Sequence, residues 1–166
     1  MNSTEEGGIY KKGRLNFLSL GWSAVGATVA IAFSLWLAGG TKGPFLLFSL
    51  GGSTVFLFAL TESEAAQPRA LLGGHFGGAL IGILCFQVFG DVLWGWVAAV
   101  VLTMVFMVMT RTIHPPAGAN PLLMLHNQAS FHALLKPVGI GVLTLFFVAM
   151  LWSRFRRQRP YPIKWW

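Results

Sequence analysis

Four stretches of this sequence, 15–38, 70–89, 92–110 and 133–152, are runs of about 18 to 24 residues with almost no charged side chain. As α-helix at 1.5 Å per residue, each is long enough to cross a hydrocarbon core of about 30 Å. A single soluble core cannot hide four such runs in a chain of 166 residues. Only 10% of the residues are charged and 55% are hydrophobic, against roughly 25% charged in a soluble domain. Lipid accepts this surface where water would drive it to aggregate, so the chain is read as an all-α integral membrane protein.

The net charge of +7 does not point to nucleic acid, because the basic residues gather at the ends while apolar runs fill the middle. Lys11, Lys12 and Arg14 precede the first run, and Arg154, Arg156, Arg157, Arg159 and Lys164 follow the last. By the positive-inside rule both termini face the cytoplasm, which requires an even number of crossings. The chain then divides into a cytoplasmic segment 1–14, a membrane domain 15–153 and a basic cytoplasmic tail 154–166. The run 15–39 is long enough to span and lacks a small-residue cleavage site, so it is read as a retained helix and not a signal peptide. The only cysteine, Cys85, lies inside an apolar run and allows no internal disulfide.

Two further apolar segments, 44–60 and 115–126, are shorter, and each is read as a broken or half-length helix. Gly51-Gly52 interrupts the first and Pro115-Pro116 opens the second. A weak internal repeat lays Gly52 to Phe58 against Gly118 to Met124, with Ala70-Leu71-Leu72 against Ala133-Leu134-Leu135 further on. Taken as a repeat, the chain is three segments plus three. An odd number of crossings per half turns the second half upside down, an arrangement that puts substrate sites near the midplane at discontinuous helices.

The most specific stretch is Thr110 to Pro121, with His114-Pro115-Pro116 at its centre. Two prolines cannot continue the preceding helix, but they suit the first turn of a new one. A helix restarting near Pro116 leaves the amides of about Ala117 to Asn120 without intrahelical partners. The same argument applied to Gly51-Gly52-Ser53-Thr54 predicts a second set of free amides beside two hydroxyls. Converging helix N-termini favour a small anion, and Arg69, Arg111, His114 and His75 add positive character. Ionisable residues within a span read as functional by default, although Arg69 and Arg111 also suit simple anchoring at helix ends and His75 a bond between helices. Asp91 is read as the cap of the fourth helix, and Glu62 and Glu64 as solvated residues or partners of Arg69, with proton coupling at Glu62 as the functional alternative. None of the four histidines, His126 and His132 included, has a metal-ligand spacing, and no hydrolase, phosphate-loop or metalloprotease motif is present. The chain is therefore not read as an enzyme, and neither metal nor cofactor is expected.

His114-Pro115-Pro116-Ala117-Gly118-Ala119 resembles the motif that gives the HPP family of integral membrane proteins its name. Ala66-Gln67-Pro68-Arg69, followed by Gly73-Gly74-His75, is similar to that family's other characteristic stretch. The likeness runs over about 15–155 and gives Gln67, Pro68, Pro115 and Pro116 the standing of structural motif residues. Asn120-Pro121 departs from the small and hydroxyl residues expected after the motif, which bears on pocket shape. The resemblance implies four spanning helices and a nitrite-like anion as substrate, since plant chloroplast and cyanobacterial members are associated with nitrite transport.

These readings together predict a permease, passive or proton-linked, for a small inorganic anion in a bacterial inner membrane. Its path would use Gly52, Ser53, Thr54, Arg69, His75, Arg111, His114, Gly118, Ala119 and Asn120. A chain this small encloses little on its own, so a homodimer or homotrimer embedded in membrane lipid is expected. The alternative is a membrane scaffold or sensor whose basic tail binds anionic lipid or a partner. A membrane enzyme acting on lipid or quinone is a third.

Overall fold

A computed structural model describes residues 9–11, 14–38, 44–155 and 160–165, without the side chains of 10, 11, 14 and 44–47. Half of the eight basic residues used for the topology argument, Lys12, Arg156, Arg157 and Arg159, lie outside the described residues. A two-residue antiparallel pairing of β1 (Tyr10–Lys11) with β2 (Arg14–Leu15) precedes the helices. The helices are α1 (Phe17–Ala38), α2 (Pro44–Phe58), α3 (Pro68–Phe89), α4 (Leu93–Thr110), α5 (Asn120–His126) and α6 (Gly141–Arg154). A 3-10 turn, Glu64–Ala66, leads into α3, and another, Pro115–Ala119, into α5. A π-helical stretch, Leu134–Ile140, runs directly into α6.

Among the described residues, four units are long and apolar enough to span a bilayer: α1, α3, α4 and Leu134–Arg154. The two shorter helices accompany them as expected, and the direction of every element follows from its contacts. Trp152 stacks on Trp22 at 4.6 Å and donates to its carbonyl, so the start of α1 and the end of α6 lie at one end of the bundle. Arg69, in the first turn of α3, donates to Thr110 O at the end of α4, which places these two termini together. The segment after α6 reaches the same place, since the Tyr161 hydroxyl donates to Ala66 O at 2.7 Å.

The segment 112–126 crosses beside α3, running parallel to it. Glycines spaced by four on α3 make room for it: a Cβ at Gly74 would meet His114 Cβ at 3.0 Å, one at Gly78 Ala117 O at 2.9 Å, and one at Gly82 Pro121 Cα at 2.6 Å. Small residues at this spacing let backbones approach closely in lipid, where no water drives helices together. Three extended residues, a five-residue 3-10 turn and seven α-helical residues each cover roughly 10 Å, about 30 Å in all. This irregular segment, about as long as a hydrocarbon core is thick, is enclosed by α2, α3 and α4, as such backbone must be in lipid.

Three local expectations are corrected. Gly51 and Gly52 lie inside α2, which continues through them. In hydrocarbon an unbroken ladder is the cheapest way to satisfy amides, and Gly52 instead allows Pro116 to approach, a Cβ there meeting Pro116 Cβ at 2.9 Å. The amides after Pro116 are also occupied: Ala117 N–H donates to His114 O and Asn120 N–H to Ala117 O within the 3-10 turn. Paired helix N-termini with free donors are therefore not what these segments present. Asp91 does not cap α4, whose N-cap is Val92; its carboxylate accepts from Trp96 Nε1 at 2.7 Å. The π-helical turns before α6 were not anticipated. Pro137 lies inside them, and its missing N–H breaks the regular ladder.

Candidate functional site

Where α2, α3 and the 112–126 segment meet, five polar side chains are sealed inside the bundle: Ser49, Ser53, His75, His114 and Asn120, none more than 3% exposed. Ser53 is their hub. Its Oγ lies 2.8 Å from His75 Nε2, 2.7 Å from His114 Nε2 and 2.9 Å from Ser49 O. The two imidazoles sit 5.1 Å apart, and the edge of Phe56 meets His114 at 5.5 Å.

Hydrogen-bond accounting assigns the protons. The carbonyl of Ala65 only accepts, so His114 Nδ1, 2.6 Å away, carries a hydrogen and a neutral His114 accepts at Nε2. The amide nitrogen of Asn120 donates to His75 O at 2.9 Å and to His75 Nδ1 at 3.0 Å. A neutral His75 therefore holds its hydrogen on Nε2 and donates it to Ser53 Oγ. Ser53 is left with its own hydrogen for His114 Nε2, shared with Ser49 O. The result is a directed chain from Asn120 through His75, Ser53 and His114 to Ala65 O, in which both rings are satisfied while neutral. A proton arriving at His75 Nδ1 could be matched by one passing from His75 Nε2 through the Ser53 hydroxyl to His114 Nε2 and one leaving from His114 Nδ1; the two gaps at Ser53 are no wider than 2.8 Å.

The chain sits there because of the sequence around it. Pro115 and Pro116 end the extended stretch at His114 and turn the backbone inward. Gly74 lets His114 and Thr112 lie against α3. The helix of Ser53 is close enough because residue 52 has no side chain.

Of the residues expected to line a path, Ser53, His75, His114 and Asn120 come together, with Gly52 against Pro116 beside them. Thr54 does not join: its hydroxyl bonds its own helix at Leu50 O, 2.8 Å away. Gly118 and Ala119 are half-buried on the 3-10 turn, and a Cβ at Gly118 would meet nothing within 4 Å. Arg69 and Arg111 lie elsewhere, lining a surface cavity of about 260 Å³ with Glu64, Gln67, Ala70, Lys164 and Trp165. Gln67 is buried as a clamp, donating to Thr61 O and Ser63 O and accepting from the amides of Ile163 and Lys164. Pro68 and Pro115 open α3 and the 3-10 turn. Ser49 and the Ala65 carbonyl belong to the cluster as well, and neither lies in a motif of the sequence. Ser49 lies one helical turn before Ser53, a spacing that could have flagged it.

With this geometry in view, the comparisons with known proteins are decisive for the family. The model of the HPP transmembrane region matches residues 12–162. This chain belongs to the HPP family. Its integral membrane character, read first from four apolar runs, follows from the same match. Among curated proteins, a transmembrane protein of Dictyostelium discoideum is 34% identical over 130 residues, 74% of this HPP chain and 42% of the relative. A second from the same organism is 31% identical over 129 residues, 73% of this chain and 45% of the relative. The chain thus spans less than half the length of these relatives. No solved structure matches it.

Proposed function

We propose that this HPP protein is a proton-linked permease for a small inorganic anion, nitrite being the first candidate, and that the His75–Ser53–His114 chain is its proton relay. The observation that carries the reading is two imidazoles sharing one serine hydroxyl inside the bundle. Holding helices together needs only hydroxyls and amides. Titratable groups are costly at membrane depth, and proton relays are where membrane proteins place them. Nitrite is the base of a weak acid, so a group that lends a proton at mid-membrane lowers the cost of carrying its charge across. The family resemblance supports the choice of anion.

The packing also supports an inverted repeat. Exchange α1 with α4, α2 with 112–126, and α3 with 134–154, and each main neighbour pair maps onto another: α1 with α6 onto α4 with α3, and α1 with α2 onto α4 with α5. Corresponding elements run in opposite directions, as inversion requires. The start of α1 and the end of α6 lie at one end of the bundle, which supports placing both termini on the same side of the membrane; the basic ends favour the cytoplasmic one.

One observation favours a second reading, a non-transporting membrane scaffold: the cluster is closed, and its polar groups already satisfy one another. Liposomes containing the purified protein separate the two. With an inward nitrite gradient, transport predicts internal acidification faster than in protein-free liposomes, and its loss in His75→Ala and His114→Ala variants that remain folded. Nitrite entry that neither substitution alters would remove the relay from the account, and entry no faster than in empty liposomes would leave the scaffold.

A further inference from the structure

The surface cavity that holds Arg69 and Arg111 is not part of the relay, and its chemistry is distinct. Its walls carry three cations, Arg69, Arg111 and Lys164, against one carboxylate, Glu64. Glu64 is bound to Lys164 at 2.5 Å, and that pairing holds its carboxyl below the usual carboxylate range. By its lining residues the cavity carries more cations than carboxylates, with Arg69 also held by Thr110 O. Arg69 is in the first turn of α3 and Arg111 directly after α4, so both sit where spanning helices meet the headgroup level. Trp165 adds an indole to the cavity wall, a side chain suited to that depth.

Arg111 is held in an unusual way. It occupies the left-handed position (φ 56°) that ends α4, with Thr112 N–H returning to Met107 O at 2.8 Å. Glycine fills that position at lower conformational cost, so helix termination gains nothing from an arginine. In the turns of α4 before it, Val105, Val108 and Met109 are exposed, and Ile113 follows. Charge at the rim above an apolar helix face is the profile of a phospholipid, and a free anion has no use for the second part.

We propose that this cavity binds the phosphodiester headgroup of an anionic phospholipid, whose acyl chains lie along α4. Arg111 and Lys164 contact the phosphate, and Trp165 packs at the glycerol level. The C-terminal segment contributes both Lys164 and Trp165, so the lipid bridges that segment to the α3–α4 end. Basic pockets between spanning helices bind such headgroups elsewhere. This inference stands independently of the transport reading.

The test is native mass spectrometry of the full chain extracted from mixed vesicles of phosphatidylcholine and phosphatidylglycerol. The expected result is one phosphatidylglycerol retained in preference to phosphatidylcholine. Each cation near a membrane surface contributes about fivefold, so the double variant Arg111→Gln, Lys164→Gln should lower the preference on the order of 20-fold. Arg154→Gln, an exposed charge outside the cavity, should leave it unchanged. Equal retention by wild type and the double variant overturns the proposal. An equal fall in Arg154→Gln also overturns it, since the effect would then be diffuse surface charge. Displacement of the lipid by millimolar inorganic phosphate would assign the cavity to the free ion and overturn the lipid.

Discussion

Ser53 and Thr54 are adjacent hydroxyl residues on α2 that differ in where they point, and replacing each by alanine separates packing from site. Thr54 Oγ1 bonds only Leu50 O on its own helix. Its loss leaves a carbonyl already paired in the helical ladder, so Thr54→Ala should change stability by no more than a few tenths of a kcal/mol. Ser53→Ala removes the bonds to both His75 Nε2 and His114 Nε2. Bonds between spanning helices average about 0.6 kcal/mol because the separated helices find other partners, so the two together set a floor near 1 kcal/mol. Two imidazole nitrogens left buried without partners would each add up to about 1–3 kcal/mol. The expected loss is about 2 kcal/mol, roughly a 30-fold fall in the folding equilibrium constant. Reversible unfolding of the purified protein in mixed micelles measures it, with proton-coupled nitrite flux as the second readout. Both should fall in Ser53→Ala and neither in Thr54→Ala. Equal behaviour of the two variants would refute the claim that Ser53 joins the two histidines.

Gly82→Ala places a Cβ 2.6 Å from Pro121 Cα, about 1 Å inside the carbon–carbon contact optimum. Overpacking should cost about 1–3 kcal/mol, only partly offset by a gain of up to about 1 kcal/mol in helix propensity. Gly21→Ala, with nothing within 4 Å of the new methyl, should keep that gain, and thermal unfolding of both variants checks the contrast. Among the described residues the buried Thr103 hydroxyl has no hydrogen-bond partner. Thr103→Val should therefore hold or raise the melting temperature, and a loss of several degrees would show a missed partner. Burial pushes the Tyr161 phenol above its usual value of about 10. A raised acid is neutral in the folded state while the unfolded one ionises, so its stabilisation is complete below pH 10 and lost as pH climbs beyond. Tyr161→Phe should remove that alkaline component while losing the bond to Ala66 O, as read from stability measured between pH 8 and pH 11.

How much of this was legible beforehand differs by element. The 3.6-residue geometry and the thickness of the bilayer make a long apolar run a span whatever surrounds it, so α1, α3 and α4 were readable from local composition. Pro115-Pro116 marked a break for an equally local reason, the missing amides. Gly51-Gly52 misled because a glycine pair has two uses, ending a helix or admitting a neighbour, and only the neighbour decides. That neighbour is Pro116, 64 positions away in sequence.

By itself, then, the sequence determined that the chain lives in lipid, how many long crossings it makes, and that His75 and His114 are candidates for chemistry. Tertiary structure alone decided that the two rings share the Ser53 hydroxyl, that Thr54 turns away, and that Arg69 and Arg111 belong to a separate cavity. The physical reason is range. Helix formation and burial in hydrocarbon are settled by near neighbours along the chain, whereas a hydrogen bond of 2.7 Å between residues 61 apart exists only once helices have packed.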